Sequence, residues 1–376
     1  MRSIKQMLRL GIEISKNKNL LYVLYDYMRL HKRKGISLSE YFHFEFERQS
    51  QEFKNSFLGL NEQRYYLDLL NPKKYYTVAR NKYFSHLFLD AGGIKRKATL
   101  YCYYMPEGKI STEQIGYDYK SVVDILREKE VSQCVVKTIE SSHGDNVYVI
   151  KRVEFLEMDC ILWRFDGKRI MLSKLLSEVP LIFESVIEQS DQFKQFNESS
   201  VNTVRFMTTL YPNGQAKIVA TFMKIGRRGR CVDNAGRGGN VDAVVDVNTG
   251  QIHDVIQFDG WRKIKSITHH PDSGNLIDGV YIENWEMIKE EVIKMQQSFP
   301  YIKAAGWDIA ITKEGPIVIE VNDFWDRTGQ FFIRRGWRKE IRDCYFAWEE
   351  KGVFYPFERL NNRLSKRQLE KIVSHE

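Results

Sequence analysis

Three oxygen-bearing side chains in the last quarter of the chain have the types and spacing of a metal site. Asp308 lies in one apolar segment, and Glu320 and Asn322 end the next. The turn Lys313-Glu314-Gly315 between the segments predicts a hairpin, and residues two apart on a strand share one face. Magnesium prefers such hard oxygen ligands and is commonly shared with substrate phosphates. The alternative is a solvent-facing polar stripe on a half-buried hairpin.

A second group of residues suits a phosphate. Lys137 lies near the end of an apolar segment that begins at Cys134, and the short polar loop 141–146 follows. The lysine offers a point charge and the loop offers backbone N–H donors. The alternative is an ordinary surface hairpin. The chain has neither a GxxxxGK(S/T) loop nor a GxGxxG fingerprint, which excludes the P-loop and Rossmann types of nucleotide site.

Two further segments are candidates for ligand contacts. Glu184 is embedded in the apolar segment 181–188, which is equally well explained as an edge strand with polar alternation. Residues 226–240 hold four arginines, including Arg237, among five glycines. Such a cationic loop could close over phosphates, or it could be a basic surface loop without a ligand.

The elements that must position these residues follow an α+β pattern. The first 90 residues are predicted to be helical, with a capping box at Ser37–Glu40. From about Lys97, short β-branched and aromatic segments separated by turns predict antiparallel hairpins, and Asn284 is expected to cap a helix that ends near Ser298. Helix returns after Phe324. The order of segments is not a regular βαβ alternation.

Composition excludes several classes of protein. A hydrophobic fraction of 43% is too high for a largely disordered chain, and no apolar segment is long enough for a transmembrane helix. The five cysteines form no CxxC pair, which favours a reducing, cytoplasmic compartment over a disulfide framework or zinc site. The 57 Lys and Arg outnumber the 49 Asp and Glu, giving a net charge of +8.

Basic residues are concentrated in residues 1–40 and again near Arg334. The simplest explanation is that these residues form solvated helix faces. The more specific explanations are binding to an anionic membrane surface or to a phosphorylated substrate. Nucleic acid is not expected as a partner, because the sequence has no zinc spacing, helix-turn-helix signal or RNA-binding consensus.

Taken in order, these segments resemble the ATP-grasp superfamily, in particular its sugar-transfer-associated group. The resemblance covers roughly residues 60–325 and is carried by Val201–Arg205, Val232–Asn234 with Gly238-Gly239, His270–Gly274, and 306–308 with 320–322. It implies an α+β ATP-grasp fold in which two lobes with antiparallel sheets hold ATP between them. The implied division is a helical N-terminal region (1–90), a small lobe (91–180), a large lobe (181–325) and a helical C-terminal tail (326–376).

The resemblance also implies roles for individual residues. Lys82 and Lys137 match the lysines that contact ATP phosphates, and Ser142 and Gly144 belong to a loop that matches the one covering the triphosphate. Backbone groups at Glu184, Val186 and Ile187 match the hinge that reads adenine. Either Glu188 or Asp191 would hold the ribose. The metal ligands would be Asp308, Glu320 and Asn322, with Mg²⁺ and ATP as cofactors.

One position departs from the superfamily pattern. Many members have an arginine two residues before the first metal acid, where this chain has Gly306. Arg205 is one candidate to supply that charge at the γ-phosphate, and loop arginines such as Arg237 are others. The histidines His143, His269 and His270 have no assigned catalytic role; His270 has at most a part in positioning substrate.

The implied activity is that of an ATP-dependent carboxylate–amine ligase that works through an acyl phosphate. Its substrates would be a small-molecule carboxylate and an amine or a sugar-linked acceptor in capsule or exopolysaccharide biosynthesis. An alternative is an ATP-grasp kinase that phosphorylates a hydroxyl. Another is a non-catalytic nucleotide-binding scaffold at the membrane surface, motivated by the basic N-terminal region. Dimers are common among relatives, so a homodimer is a further expectation.

Overall fold

The computed structural model describes residues 11–12, 19–106, 114–140, 146–176, 179–230, 239–258 and 264–352. Three residues assigned from the sequence, Ser142, Gly144 and Arg237, lie outside this part of the chain. Among the described residues, no helix combines the length and the apolar character needed to cross a bilayer.

The N-terminal region is helical, as predicted. The Ser37 side chain accepts from the Glu40 backbone N–H while the Glu40 side chain accepts from that of Ser37, which confirms the capping box. Tightly spaced phenylalanines after the second helix, including Phe44, Phe46 and Phe57, form a core of their own. The helices are α1 (Leu20–Lys34), α2 (Leu38–His43), α3 (Gln51–Ser56), α4 (Leu60–Leu70), α5 (Tyr76–Arg80) and α6 (Lys82–Ala91), with short 3₁₀ helices at Phe46–Arg48 and Lys73–Tyr75.

A first sheet follows this region, and all but one of its strand pairs are antiparallel. Its strands are β1 (Leu100–Tyr104), β2 (Ile115–Gly116), β3 (Cys134–Thr138), β4 (Val147–Phe155), β5 (Cys160–Arg164), β6 (Arg169–Met171) and β7 (Leu181–Glu184). They are arranged in the order β2-β1-β7-β3-β4-β5-β6. Helix α7 (Tyr119–Glu128), capped by Asp118, packs its apolar face on this sheet and was not predicted; α8 (Leu172–Leu175) follows β6.

A second, antiparallel sheet forms the other lobe. Its strands are β8 (Thr203–Leu210), β9 (Ala216–Ile225), β10 (Val241–Val245), β11 (Ile252–Phe258), β12 (Ile264–Ser266), β13 (Ala304–Thr312) and β14 (Gly315–Asn322). Their order is β12-β11-β10-β9-β8-β13-β14, which confirms the predicted hairpins. The short helix α9 (Asp191–Lys194) precedes the sheet, and α10 (Trp285–Ser298) covers one face. Asn284 stands at the start of α10 as predicted, but its side chain makes no capping hydrogen bond.

Both ends of the described chain pack on the second sheet. Val78 and Leu89 of α5 and α6 belong to the same core as α10. The C-terminal helix α12 (Arg338–Glu350) meets α4 in a separate core, where Tyr345 donates or accepts a 3.0 Å hydrogen bond with Tyr65. The short helix α11 (Thr328–Phe332) precedes α12. The helical N-terminal region is therefore part of the second lobe's packing, although it precedes the first lobe in sequence.

The proposed division of the chain at residue 180 stays a prediction. Strand β7 begins at Leu181 and lies in the first sheet between β1 and β3. The crossing from the first sheet to the second therefore follows Glu184.

The close approach of the two ends yields a stability prediction. A Cβ added to Gly336 would lie 2.0 Å from the backbone carbonyl of Ser56. Because backbone cannot move aside as a flexible side chain does, Gly336→Ala should destabilise the protein by about 1–3 kcal/mol in urea denaturation. The exposed Lys339→Ala is the matched control and should change the free energy of unfolding by less than about 0.5 kcal/mol. Equal effects of the two substitutions would contradict the packing of the ends.

Candidate active site

A cleft between the two sheets contains most of the residues selected from the sequence. Its volume is about 580 Å³, within the range of small-molecule sites. The first sheet contributes apolar side chains such as Val135 and Val149, and the second contributes Ile319. The charged residues that line it include Lys82, Lys137, Glu184, Glu188, Lys224, Asp308 and Glu320.

The expected hairpin places the three oxygen-bearing side chains on one face of the sheet, where the Asn322 amide nitrogen donates to the Gly306 carbonyl at 3.3 Å. In the β13–β14 register, Asp308 is opposite Glu320 and Gly306 is opposite Asn322. The register shifts next to Glu320, because Ile309 is already opposite Val318 and Ile319 is the extra residue of a bulge. Bulges redirect side chains and are frequent beside active sites. Here the bulge adjoins the acid that faces the cleft.

Asp308 is buried and held by two cations, one from the adjacent strand β8 and one from β9 beyond it. Arg205 of β8 donates from Nε and Nη2 to its two carboxylate oxygens at 2.6 and 2.7 Å. Lys224 of β9 approaches Oδ1 at 2.9 Å. Burial alone would raise the pKa of Asp308, but the two cations outweigh burial and hold it well below the usual range. The same contacts raise the pKa of Arg205 despite its burial.

Glu320 lies beside this cluster without an equally strong cation. Burial raises its pKa, and the nearby charge of Asp308 raises it further. Burial lowers the pKa of Lys82, which Glu320 partly offsets. Two adjacent buried carboxyl groups with an amide two residues on are a hard-oxygen donor set that a divalent cation would stabilise. The residues present therefore fit magnesium.

A second group of charged side chains, around Glu184, lies near Lys82. Glu184, at the end of β7, contacts Lys137 Nζ at 2.5 Å and His86 Nε2 at 2.7 Å. Lys97 donates to His86 Nδ1 at 3.3 Å, and because an ammonium can only donate, His86 carries its proton on Nε2. Burial would raise the pKa of Glu184, but Lys137 and His86 outweigh burial and lower the pKa to about 2.

The segment after Glu184 is suited to bind a planar polar group. The Ser185 backbone N–H donates to Thr99, whereas the backbone groups of Val186 and Ile187 have no hydrogen-bond partner within the described part of the chain. Both residues line the cleft, as does Glu188. Asp191, the other ribose candidate, is instead exposed and bridges to Lys313 at 2.9 Å. The structure therefore brings Glu188 to the cleft.

Arg205 occupies the space beside the position where the expected arginine is missing. A Cβ built on Gly306 would lie 3.4 Å from Arg205 Nη1 and 3.6 Å from its Cδ. The guanidinium thus lies along Gly306, next to Asp308. A Cβ at this position would be in ordinary van der Waals contact with Arg205.

The base of the arginine-rich loop is described, although Arg237 is not. Arg227 forms a bidentate pair with Asp272 at 2.7 Å for both contacts. His270 is buried and donates from Nε2 to the Gly226 carbonyl at 2.9 Å, so it anchors the loop and not the cleft. His269 is exposed at the side of this turn, where it contacts Thr268 at 2.8 Å.

Two residues that contact the acids of the site, Lys224 and His86, were missed in the sequence. Lys224 lies near the end of an apolar strand. Its partner Asp308 is two strands away in the sheet, and the sequence does not give that strand order. His86 is in a helix 98 residues before Glu184, and no spacing connects them. Neither residue has a local signal that distinguishes it from a surface residue.

Comparison with known proteins gives a family match for most of the chain. Residues 61–343 match the sugar-transfer associated ATP-grasp family. No match was found among curated proteins.

Several solved structures are similar at low identity. D-alanine–D-alanine ligase from Bacillus anthracis is 12% identical, with a TM-score of 0.37 over 73% of this chain and 70% of that one. Biotin carboxylase from Campylobacter jejuni is 8% identical, with a TM-score of 0.40 over 72% and 47%. N5-carboxyaminoimidazole synthetase from Staphylococcus aureus is 13% identical, with a TM-score of 0.38 over 71% and 52%. The chain spans about half the length of the carboxylase and the synthetase.

The buried pairing of Glu184 predicts a pH-dependent contribution to stability. Because its pKa falls from 4.5 to about 2 on folding, its ionised form stabilises the protein above pH 4.5, and that stabilisation is lost as the pH falls towards 2. Its full size is on the order of 3 kcal/mol. We expect Glu184→Gln to be less stable than wild type at pH 7 and the difference to shrink by pH 3, in urea titrations. The exposed Glu283→Gln is the control, and a Glu184→Gln difference that is constant with pH would contradict the assignment.

Proposed function

Because the chain belongs to the sugar-transfer associated ATP-grasp family, we propose that its cleft binds Mg-ATP and uses it to activate a carboxylate for attack by an amine. One observation carries this proposal. Asp308, which Arg205 holds, and Glu320 share one cleft with the cations Lys224, Lys82 and Lys137, which come from both lobes and the helical region. A transferring phosphoryl group needs that gathering of charge and little acid–base chemistry.

In this proposal each residue has a defined task. Asp308, Glu320 and Asn322 would hold magnesium, which when bound neutralises charge on the transferring phosphoryl group. Lys82 and Lys137 bind phosphate oxygens, and Arg205, which pairs with Asp308, is proposed to act on the γ-phosphate. The backbone of Val186 and Ile187 binds adenine, and Glu188 binds the ribose hydroxyls. Glu184 keeps Lys137 in place, and burial excludes water from the ion pairs.

The proposed reaction has two steps. A carboxylate oxygen of the substrate attacks the γ-phosphorus, the bond to the β–γ bridging oxygen breaks, and ADP leaves. An amine then attacks the acyl carbon of the acyl phosphate, forms a C–N bond, loses a proton and displaces phosphate. Arg205 and Lys224, the two cations on Asp308, are proposed to stabilise negative charge during the first step.

The family's association with sugar transfer is the basis for proposing a sugar or sugar-linked acceptor in capsule or exopolysaccharide biosynthesis. A homodimer is proposed because dimers are common among relatives. A cytoplasmic location is proposed because the five cysteines form no CxxC pair.

Nucleotide binding can be tested by thermal unfolding. Mg-ATP at about 100 times its Kd should stabilise the protein by roughly 2.7 kcal/mol, a shift of about 3 °C for a chain of this size. The shift should require magnesium and disappear in the double variant Glu320→Ala with Asn322→Ala. Glu314→Ala, an exposed position at the turn of the same hairpin, should keep it. If folded wild-type protein shows no shift, the metal–nucleotide site is wrong.

Acyl transfer can be separated from phosphorylation of a hydroxyl by trapping. With hydroxylamine in place of the amine, a ligase converts its carboxylate to a hydroxamate and forms one ADP per product, whereas a kinase forms ADP without hydroxamate. A screen over amino acids and uronic acids should yield hydroxamate with wild type. Lys137→Met should lower the rate by about 10²-fold or more, because it removes a charge at the phosphates. ADP formed with a hydroxyl substrate, and no hydroxamate with any acid, would favour the kinase.

A further inference from the structure

Helix α1 has a polar interior face that fixes its orientation. Asp26 is buried and accepts from Lys54 Nζ at 2.7 Å, from the Tyr41 hydroxyl at 2.9 Å and from Arg29 at 3.0 Å. Lys34, one and a half turns beyond Arg29, is also buried, and its Nζ donates to the carbonyls of Asn55 and Phe57. Turning the helix would leave these charges unpaired in the interior, which is costly. The opposite face must therefore remain outward.

That outward face is apolar. Leu21, Leu24, Tyr25 and Met28 are 76%, 52%, 67% and 59% exposed and follow the i, i+3, i+4, i+7 spacing of one helix face. Leu20 and Tyr22 flank this stripe and are also exposed. We call Leu21, Leu24, Tyr25 and Met28 the α1 stripe. A contiguous exposed apolar surface of this kind marks an interaction site.

The exposed charges on α1 are all positive. Its one acid, Asp26, is buried, whereas Lys32 and Arg33 in the last turn are exposed. The sequence before the helix, residues 1–18, adds five Lys or Arg and a single acid. On α1 itself, the exposed charged side chains that accompany the apolar stripe are therefore basic.

This combination identifies the partner. A helix of 15 residues is about 22 Å long, too short to span a bilayer but suited to lie at its surface. Apolar side chains can enter the acyl boundary while Lys and Arg contact anionic headgroups. A second copy of the chain would bring like charges together in a symmetric contact. We propose that α1 docks the protein on an anionic membrane surface through the α1 stripe, with Lys32 and Arg33 at the headgroups.

The orientation of α1 makes this docking independent of the cleft. Asp26 and Lys34 hold the helix to α3 and its neighbours, so the membrane contact needs no unfolding of the N-terminal region. The helix is not among the elements that line the cleft. Membrane binding and nucleotide binding can therefore be measured separately.

Co-sedimentation with vesicles tests the proposal on the full-length chain. Wild type should bind vesicles of phosphatidylcholine with about 30% phosphatidylserine and bind pure phosphatidylcholine much more weakly. Leu21→Ser/Leu24→Ser/Met28→Ser should weaken binding at least about tenfold, because three exposed apolar side chains no longer enter the bilayer. Lys32→Glu/Arg33→Glu should weaken it by about fivefold or more per position, and raised salt should weaken wild type.

Matched variants at other exposed positions control for surface polarity and net charge. Leu156→Ser/Met158→Ser removes apolar side chains, and Lys168→Glu/Lys174→Glu reverses the same number of charges. Both should bind vesicles nearly as wild type does, and all variants should keep the wild-type melting temperature because the positions are exposed. Vesicle binding that survives the triple Ser substitution would overturn the proposal. So would a lipid-free dimer that the triple substitution dissociates, since the stripe would then bind a second copy.

Discussion

The ion cluster around Asp308 is the interaction on which the rest of the site depends. A buried carboxylate is tolerated only when cations and hydrogen bonds compensate its lost hydration. Arg205, Lys224 and Asp308 belong to three strands, so β8, β9 and β13 must keep their register for the charges to meet. Strand β14 then brings Glu320 beside them. The central strands of the second sheet thus carry the charged residues of the site on one face and residues of the hydrophobic core on the other.

The cations that face this cluster come from elsewhere in the fold. Lys137 belongs to the first sheet, and Lys82 begins α6, a helix that packs with the second lobe. The Lys82 backbone N–H donates to Ile139 at 3.1 Å, and Arg80 pairs with Asp323 at 2.8 Å. These two contacts tie the helical region to both lobes. The spacing of the two lobes therefore depends on these contacts of the helical region as well as on the residues that line the cleft.

Local signals predicted most elements well. The strand Cys134–Thr138, the hairpin turns and the capping box of α2 were predictable because each depends on residues within about ten positions. Helix α7 was missed although its local signal is present, since Val122, Val123, Ile125 and Leu126 recur at helical spacing after the N-cap Asp118. The position of β7 in the first sheet was not predictable, since strand order depends on long-range pairing.

The sequence by itself determined the α+β pattern, the hairpin that carries Asp308 and Glu320, and the lysines available for phosphates. These follow from alternation, turn residues and charge, which act locally. Only the tertiary structure decided that Lys224 and Arg205 hold Asp308, that His86 orients Glu184, and that Glu188 rather than Asp191 lines the cleft. Such contacts join residues up to about a hundred positions apart, and burial, which sets their pKa values and strength, exists only once the sheets have packed.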